Sequence, residues 1–481
     1  MAVATMVTVV FNSLGGARDI SRATFPVWKD VTQDEMRAFL ALIIATGLVK
    51  KDDLDKFWST DSIICTPFFS THMSLKRFEN ILSNLHLVDN NDDDKTDPLF
   101  KVRPFFVHLR QKFVDAYSAG QNLSFDEATC AVKGQGRLRF KVYNPKKPAK
   151  FGIKIYEVCE SESGYLSSMN VYTGGEAEET FSSLAGVSEE CCTTTKLVVG
   201  LLAYCGLLNK GHHVYLDNYY VSPDLFDELH LLGTGACGTV RTNRKEKPDA
   251  IKKKAGIKLS QGETIFRQRD NLLALRHMDK RDVHMLSTIH DANLVTLSKK
   301  VHAGNPIVKP EVMVQYVKNM GGVYLSDQLM KNYACIRRSV KWWRKFFMHL
   351  FCATLCNSYI LYKKTVRNPV DHFQFRSQIV KSLLLAAPGN PGPSSSGRKL
   401  SEVPERLNRN FPHFPKYCEP KPGAKRQKPM RDCVVCNIPK SSRNGCKRTQ
   451  PSFECKHCKV PLCIPECFEA FHTKLEYKPR N

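Results

Sequence analysis

Three aspartates stand where a carboxylate calls for an explanation. Asp126 sits in the strand-like run LSFDEAT, Asp217 ends the apolar run VYLD, and Asp327 opens a helical stretch in YLSDQL. Phosphoryl transfer with two divalent cations needs such groups, because hard Mg2+ ions take carboxylate oxygens as ligands. Two neighbouring strand ends and one helix can bring three carboxylates together. Each residue alone also has an ordinary reading: a strand-end Asp commonly forms a turn, and an Asp in the first turn of a helix complements its dipole.

The cysteines carry the second candidate chemistry. Of 18, ten are scattered between Cys65 and Cys356 without a pairing pattern, and eight crowd between Cys418 and Cys467. Short repeated spacings point to metal rather than disulfides. Cys433 and Cys436 form one C-x2-C knuckle, Cys455 and Cys458 a second, and Cys463, Cys467 and His472 follow. Two such knuckles complete a tetrahedral Zn2+ site. Seven candidates exceed one site, so two ions in a ribbon or cross-brace arrangement are expected. His413, Cys446 and His457 are candidates for the eighth ligand.

Charge supplies the third clue. Lys+Arg total 71 against 47 Asp+Glu, a formal net charge of +24. Polyanion binding is the natural reading of that excess, since Lys and Arg that neutralise phosphates release condensed counterions. Lys146, Lys147, Lys150 and Lys154 cluster beside the first strands, placed to contact phosphates near the carboxylates. In IRRSVKWWRKFFMHLF, Arg338, Lys341 and Lys345 recur at helical spacing as a basic stripe opposite Trp343, Phe347, Leu350 and Phe351. An amphipathic helix with a solvated basic face is the plainer alternative. KPGAKRQKPMR (421–431) reads as a nuclear-import signal or a phosphate-binding arm. No run is long and apolar enough to span a membrane. The apolar start lacks a basic flank and cleavage site, so an intracellular protein is expected.

The elements that must position these residues follow from periodicity. Residues 1–120 read as helical. Thr32 is an N-cap with Glu35 at capping-box spacing, and Leu75, Phe78, Leu82 and Leu85 share a helix face. From 121 to 244 the period changes. NLSFDEATCAV, FGIKIYEVCES and GYLSSMNVYTG read as strands, then a helix near 195–208, the strand HHVYLDNYY, a helix at about 222–232 and the strand GACGTVRTN. Residues 245–305 are β-leaning, 306–385 helical, 386–431 a flexible basic linker, and 432–481 a Cys-rich module too small for a large core without metal. Strands, a helix, a strand ending in Asp and a helix carrying an acid are compatible with a ribonuclease-H-like α/β core. The pattern alone does not single it out among α/β folds.

FWSTDSI, MSLKRFENILSNLH, LSFDEA, NPKKPAKFGIKIY, LDNYYVSPDLF, GTVRTNRK and MGGVYLSDQ resemble, in order, successive blocks of piggyBac-type transposases. The C-terminal Cys-rich segment is similar to theirs as well. The resemblance covers roughly residues 26 to 475. It implies a ribonuclease-H-like catalytic core with a β-rich insertion, flanking α-helical dimerisation and DNA-binding segments, and a C-terminal zinc-binding module. It also implies a homodimer acting on double-stranded DNA in the nucleus, cutting and pasting transposon terminal repeats at TTAA targets with Mg2+ or Mn2+ and three aspartates. The first two family acids fall on Asp126 and Asp217. The third belongs to the last position of GGVD, and this sequence has GGVY, which places Tyr324 there. Asp327, three residues on, keeps a further acidic position. Tyrosine is neutral near pH 7 and a poor Mg2+ ligand. The family also has a polar N-terminal region ahead of the first helical block, which this chain reaches within about 30 residues. Both departures lead us to expect an impaired transposase that still binds DNA. The alternative is a zinc-dependent protein-interaction or chromatin module with a vestigial core.

Overall fold

The computed structural model describes residues 29–88, 96–132, 138–145, 147, 150–174, 190–244, 248, 251, 257–300, 306–335, 339 and 341–385, and, further on, 405–407, 413–420, 428–436, 449–474 and 477. Two compact units divide the chain, 1–393 and 394–481.

The larger unit starts with helix α1 (Gln33–Leu48), which the sequence caps as expected: Thr32 Oγ1 accepts the Glu35 N–H at 3.1 Å. The Glu35 carboxylate is held by Arg77, whose Nε and Nη2 each reach it at 2.6 Å. That bond joins α1 to α3 (Leu75–Asn84), which follows the short α2 (Pro67–His72); Ser74 caps α3. Met36 and Ala38 to Gly47 are all buried, so α1 is a central helix, covered on every side. Helix α4 (Arg103–Ala116) completes the helical segment.

One nine-stranded sheet organises the rest. Its strands are β1 (Asn122–Ala131), β2 (Lys141–Tyr143), β3 (Phe151–Glu160), β4 (Leu166–Val171), β5 (His213–Leu216), β6 (Gly235–Thr239), β7 (Thr264–Arg269), β8 (Leu272–Met278) and β9 (Asp282–Ser287). The order is β2-β3-β1-β5-β6-β9-β8-β7, with β4 also on β3. β1, β5 and β6 run parallel to one another, and the remaining pairings are antiparallel. β5 and β6 alternate with α5 (Thr193–Tyr204) and α6 (Pro223–Leu231), which meets the ribonuclease-H-like expectation. The β-leaning stretch does more than decorate this core. β9 pairs with β6, so β7–β9 lengthen the core sheet, whereas β10 (Leu294–Lys300) and β11 (Pro306–Pro310) form a separate hairpin.

The two faces of the sheet have different cover. Leu123, Phe125, Tyr156, Val158, Val214 and Leu216 pack with α5 and α6 on one face. Helices α7 (Glu311–Asn319), α8 (Gly322–Asn332) and α9 (Trp342–Thr365) lie on the other, where Ala128, Cys130, Ile153, Ile155 and Cys159 enter the core shared with α1. The apolar face expected for α9 is buried, with Phe347, Leu350 and Phe351 fully so. Asn357 ties α9 to β4 by exchanging two 2.9 Å bonds with the Leu166 backbone. α10 (His372–Leu385) closes over α1. Among the described residues no helix is long and apolar enough to cross a membrane.

The smaller unit pairs β12 (Pro415–Tyr417) with β13 (Phe453–Cys455) and ends in α11 (Glu466–Thr473). Among its described residues the buried hydrophobic cluster is Cys433, Val435, Cys455, Leu462 and Phe471.

Candidate carboxylate site and Cys-His module

Strand register brings two of the three aspartates together. The parallel ladder of β1 and β5 ends on Phe125 opposite Leu216. Asp126 and Asp217 are the next residues of each strand, and alternation puts both side chains on the α7–α9 face. Burial pushes the Asp126 carboxyl up to about 6, and the charges of Glu127 and Asp217 act in the same direction. The Glu127 N–H, donated to Asp126 Oδ1 at 2.8 Å, and the Lys147 ammonium oppose it. Tyr316 of α7 lies close to both aspartates, and its buried hydroxyl is bonded to Thr239.

Helix α8 is seated on β1 by small residues. The Val323 N–H donates to Ser124 Oγ at 3.1 Å. A Cβ on Gly322 would come within 2.4 Å of that oxygen and 2.9 Å of the Glu160 carbonyl, so only glycine permits this approach. Gly164, at φ +72°, turns β3 into β4 directly against α8. The seating sends Tyr324 outward, 71% exposed. The Asp327 side chain is 22% exposed and bonded to Lys331 at 3.1 Å. Asp126, Asp217 and Asp327 do not gather as closely as a metal-ligand set. The described acid, Cys and His groups with three or more ligand atoms within 4.8 Å of one another all lie in the smaller unit.

A fourth acid is paired with Asp126 in the sheet. Glu157 of β3 is its cross-strand partner, fully buried, and neither carboxylate oxygen accepts a hydrogen bond. His349 Nε2 of α9 is 3.8 Å away, beyond hydrogen-bond range. Burial raises the Glu157 carboxyl, Asp327 adds to this, and His349 and Lys147 oppose it. Sequence reasoning passed over Glu157, although the signal that marks Asp126, a charge amid apolar strand neighbours, is present in KIYEVC too.

The basic residues divide. Lys147 donates to the Glu127 carbonyl at 3.1 Å, beside the site. Lys154 is on the opposite face, its ammonium over the Tyr156 and Tyr219 rings at 4.6 and 4.8 Å. Lys150 is exposed at the start of β3. Lys146 and Arg338 lie outside the described residues. The expected helical stripe is corrected: α9 begins at Trp342 with Lys341 in extended conformation as its N-cap, so Lys345 lies within the helix and Lys341 does not. Lys345 is half-buried, close enough to Cys130 to be felt by its thiol. Burial lowers the Lys341 ammonium, with Arg344 and Lys101 adding like charge.

In the smaller unit the ligand atoms form two sets of four. Cys433, Cys436, Cys463 and Cys467 make one; His413, Cys455, Cys458 and His472 make the other. Cys436 and Cys467 sulfurs are 3.2 Å apart, and Cys458 Sγ lies 3.6 Å from both His413 Nδ1 and His472 Nε2. The two knuckles therefore belong to different sets, interleaved along the chain as a cross-brace. Of the three candidates for the eighth ligand, His413 joins a set and His457 joins neither, while Cys446 lies outside the described residues. Phe468 O is 2.7 Å from His472 Nδ1, an outer contact that orients the ring. Thiolate and imidazole donors in fours suit a tetrahedral zinc ion.

A family model described as Transposase IS4 matches residues 11–359. The chain belongs to that transposase family. Its relatives are piggyBac-derived. PiggyBac transposable element-derived protein 3 of Homo sapiens is 27% identical over 383 residues, 76% of this chain and 61% of that protein. Protein 2 of the same series, also human, is 26% identical over 378 residues, 77% and 62%. The chain thus spans about three fifths of these relatives' length. A solved piggyBac transposase, in a synaptic complex with hairpin DNA, superposes with TM-score 0.70 at 20% identity, covering 95% of this chain and 92% of that one. The ribonuclease-H-like fold is shared with it. Membership of the transposase family implies a divalent metal ion, a hard cation that takes oxygen donors.

Proposed function

We propose that this chain is a piggyBac-derived, transposase-like protein that binds double-stranded DNA and cuts it poorly or not at all. Tyr324 carries the reading: where the family supplies an acid, this chain has an exposed phenol on α8. Asp327 is bonded to Lys331, and a displacement of even ~1 Å costs about a hundredfold in rate. Asp126 and Asp217 would hold Mg2+ or Mn2+. Lys147, bonded to the Glu127 carbonyl beside Asp126, would meet the phosphate backbone. Zn2+ in the Cys-His sets folds the terminal module, which adds a second surface for transposon-end DNA. Action on chromosomal DNA as a homodimer, after nuclear import through the basic run 421–431, completes the reading.

Strand cleavage of a matching transposon end in Mg2+ tests it, alongside a mobility shift on the same DNA. Retention of DNA without nicking is expected, and Tyr324→Asp should raise cleavage. Efficient excision by the unaltered chain would overturn it. Binding to a protein partner but not to TTAA-flanked ends would move the assignment to a zinc-dependent interaction module.

A further inference from the structure

We propose that Cys335 and Cys352 are a peroxide-reactive thiol pair that closes to a disulfide between the end of α8 and α9. The pair stands apart from the carboxylates and from the Cys-His module.

It is built around a buried charge. Arg376 of α10 is fully buried, and a guanidinium stays protonated in any protein environment. Its Nε donates to His372 Nε2 and its Nη1 to the Tyr333 carbonyl, both at 2.9 Å, and its Nη2 to Cys356 Sγ at 3.5 Å. Asp371, beside His372, is engaged in capping α10, its Oδ1 accepting the Gln374 N–H at 2.8 Å. The groups that favour the Arg376 charge are instead three thiols, Cys356, Cys335 and Cys352. A buried charge needs a counter-charge, so one of these sulfurs is ionised.

Hydrogen bonding singles it out. Cys352 accepts from both the thiol and the backbone N–H of Cys335. The Cys335 thiol, Arg376 and His349 hold the Cys352 thiol below the usual range against the effect of burial. The same bond raises the Cys335 thiol, and burial pushes Cys356 up to about 12. Cys335 is fixed from the side of α1. A Cβ on Gly47 would fall 2.5 Å from the Tyr333 carbonyl oxygen and 3.5 Å from Cys335 Sγ, an approach that only glycine permits. Buried thiols in apolar surroundings are inert because they stay protonated. Here a thiolate lies against a second, protonated thiol, the arrangement of an oxidisable pair.

The co-reactant is hydrogen peroxide. The Cys352 thiolate attacks one peroxide oxygen, forming an S–O bond as the O–O bond breaks, and the departing hydroxide takes a solvent proton to become water. The Cys335 sulfur then displaces the sulfenic hydroxyl, which leaves as water with the Cys335 proton, and the S–S bond forms. Two thiols are oxidised and one peroxide is reduced to two waters. Sulfurs already in hydrogen-bond contact need only close to the roughly 2 Å of a disulfide.

The test treats the zinc-loaded full chain with a slight excess of hydrogen peroxide, alkylates the remaining thiols and maps the tryptic peptides by mass spectrometry. Cys335 falls in peptide 332–337, and Cys352 and Cys356 in peptide 346–363. The two peptides should be cross-linked and released by dithiothreitol. The link should be lost in Cys352→Ser and kept in Cys356→Ser, and Cys335→Ser should stop at a sulfenic acid on Cys352 that dimedone traps. Both peptides remaining fully alkylated after peroxide has begun to oxidise the zinc ligands would overturn the proposal, as would a link through Cys356. If a serine variant does not fold, fragmentation of the cross-linked peptides from the unaltered chain assigns the sulfur.

Discussion

The sheet site and the Cys-His module both offer donors for metal, by opposite means. In the sheet, rigid strands present Asp126 and Asp217 from a fold that two large hydrophobic cores already hold. In the module, five buried residues make the cluster among the described residues, two of them cysteines of the ligand sets. There the ligands are most of the fold. The contrast explains why an exposed side chain on α8 can vary without disturbing the architecture. Tyr324 occupies an exposed helix position and alters no packing, whereas all eight ligand positions of the cross-brace are filled. A metal that takes part in chemistry can lose a ligand and leave the structure intact; a metal that replaces a core cannot.

The comparison breaks most readily at the module. Cys458→Ser, or chelation, should abolish hydrogen-exchange protection in β13 and α11 and lower zinc from about two ions per chain. Structural zinc contributes on the order of 10 kcal/mol to such modules. A module that keeps its protection without metal would show that its small cluster suffices. The larger unit should keep its melting transition throughout.

The converse test deletes core instead of ligand. Phe347 is fully buried, its ring 5.1 Å from that of Phe105. Phe347→Ala should cost about 3–5 kcal/mol in denaturant unfolding of the larger unit and leave zinc content unchanged. Zinc loss together with destabilisation would mean that the two units are not energetically separate.

A smaller effect comes from pH. His372 accepts a 2.9 Å bond from Arg376 and stacks on Tyr359, and burial with the nearby guanidinium lowers its imidazole to about 3. The unfolded chain binds this proton near pH 6.5 and the folded chain does not. The contribution is therefore full above pH 6.5 and is lost as pH falls towards 3. Between pH 7 and 5 the stability of the larger unit should drop by on the order of 1 kcal/mol more than in His372→Gln, after allowance for solvent screening. Equal drops in the two proteins would remove His372 from the account.

The smallest expected change is at the phosphate contacts. Lys147→Ala should reduce the salt slope of DNA binding by about one, uniformly across sequences, without changing the melting temperature. An unchanged slope would place the DNA away from the carboxylate face.

Much of this was legible from local chemistry. The Thr32 cap, the α9 apolar face, the strands around Asp126 and Asp217 and the C-x2-C knuckles all depend on residues near one another in the chain, where periodicity and spacing are informative. The start of α9 was misjudged because a run of basic residues has helical spacing whether or not the backbone is helical. Lys341 is extended, and the helix starts one residue later. The joining of β7–β9 to the core sheet could not be seen, since strand pairing between β6 and β9 is a non-local event with no signature in either strand alone.

By itself the sequence determined the element types, the family and the Cys-His spacing of the terminal module, because those are matters of residue identity and short-range spacing. Tertiary structure decided which ligands share an ion and which acids face one another. His413 completes a set with residues more than 40 positions away. Glu157 becomes the neighbour of Asp126 only through the register of β1 on β3, where a shift of one residue would turn it to the opposite face.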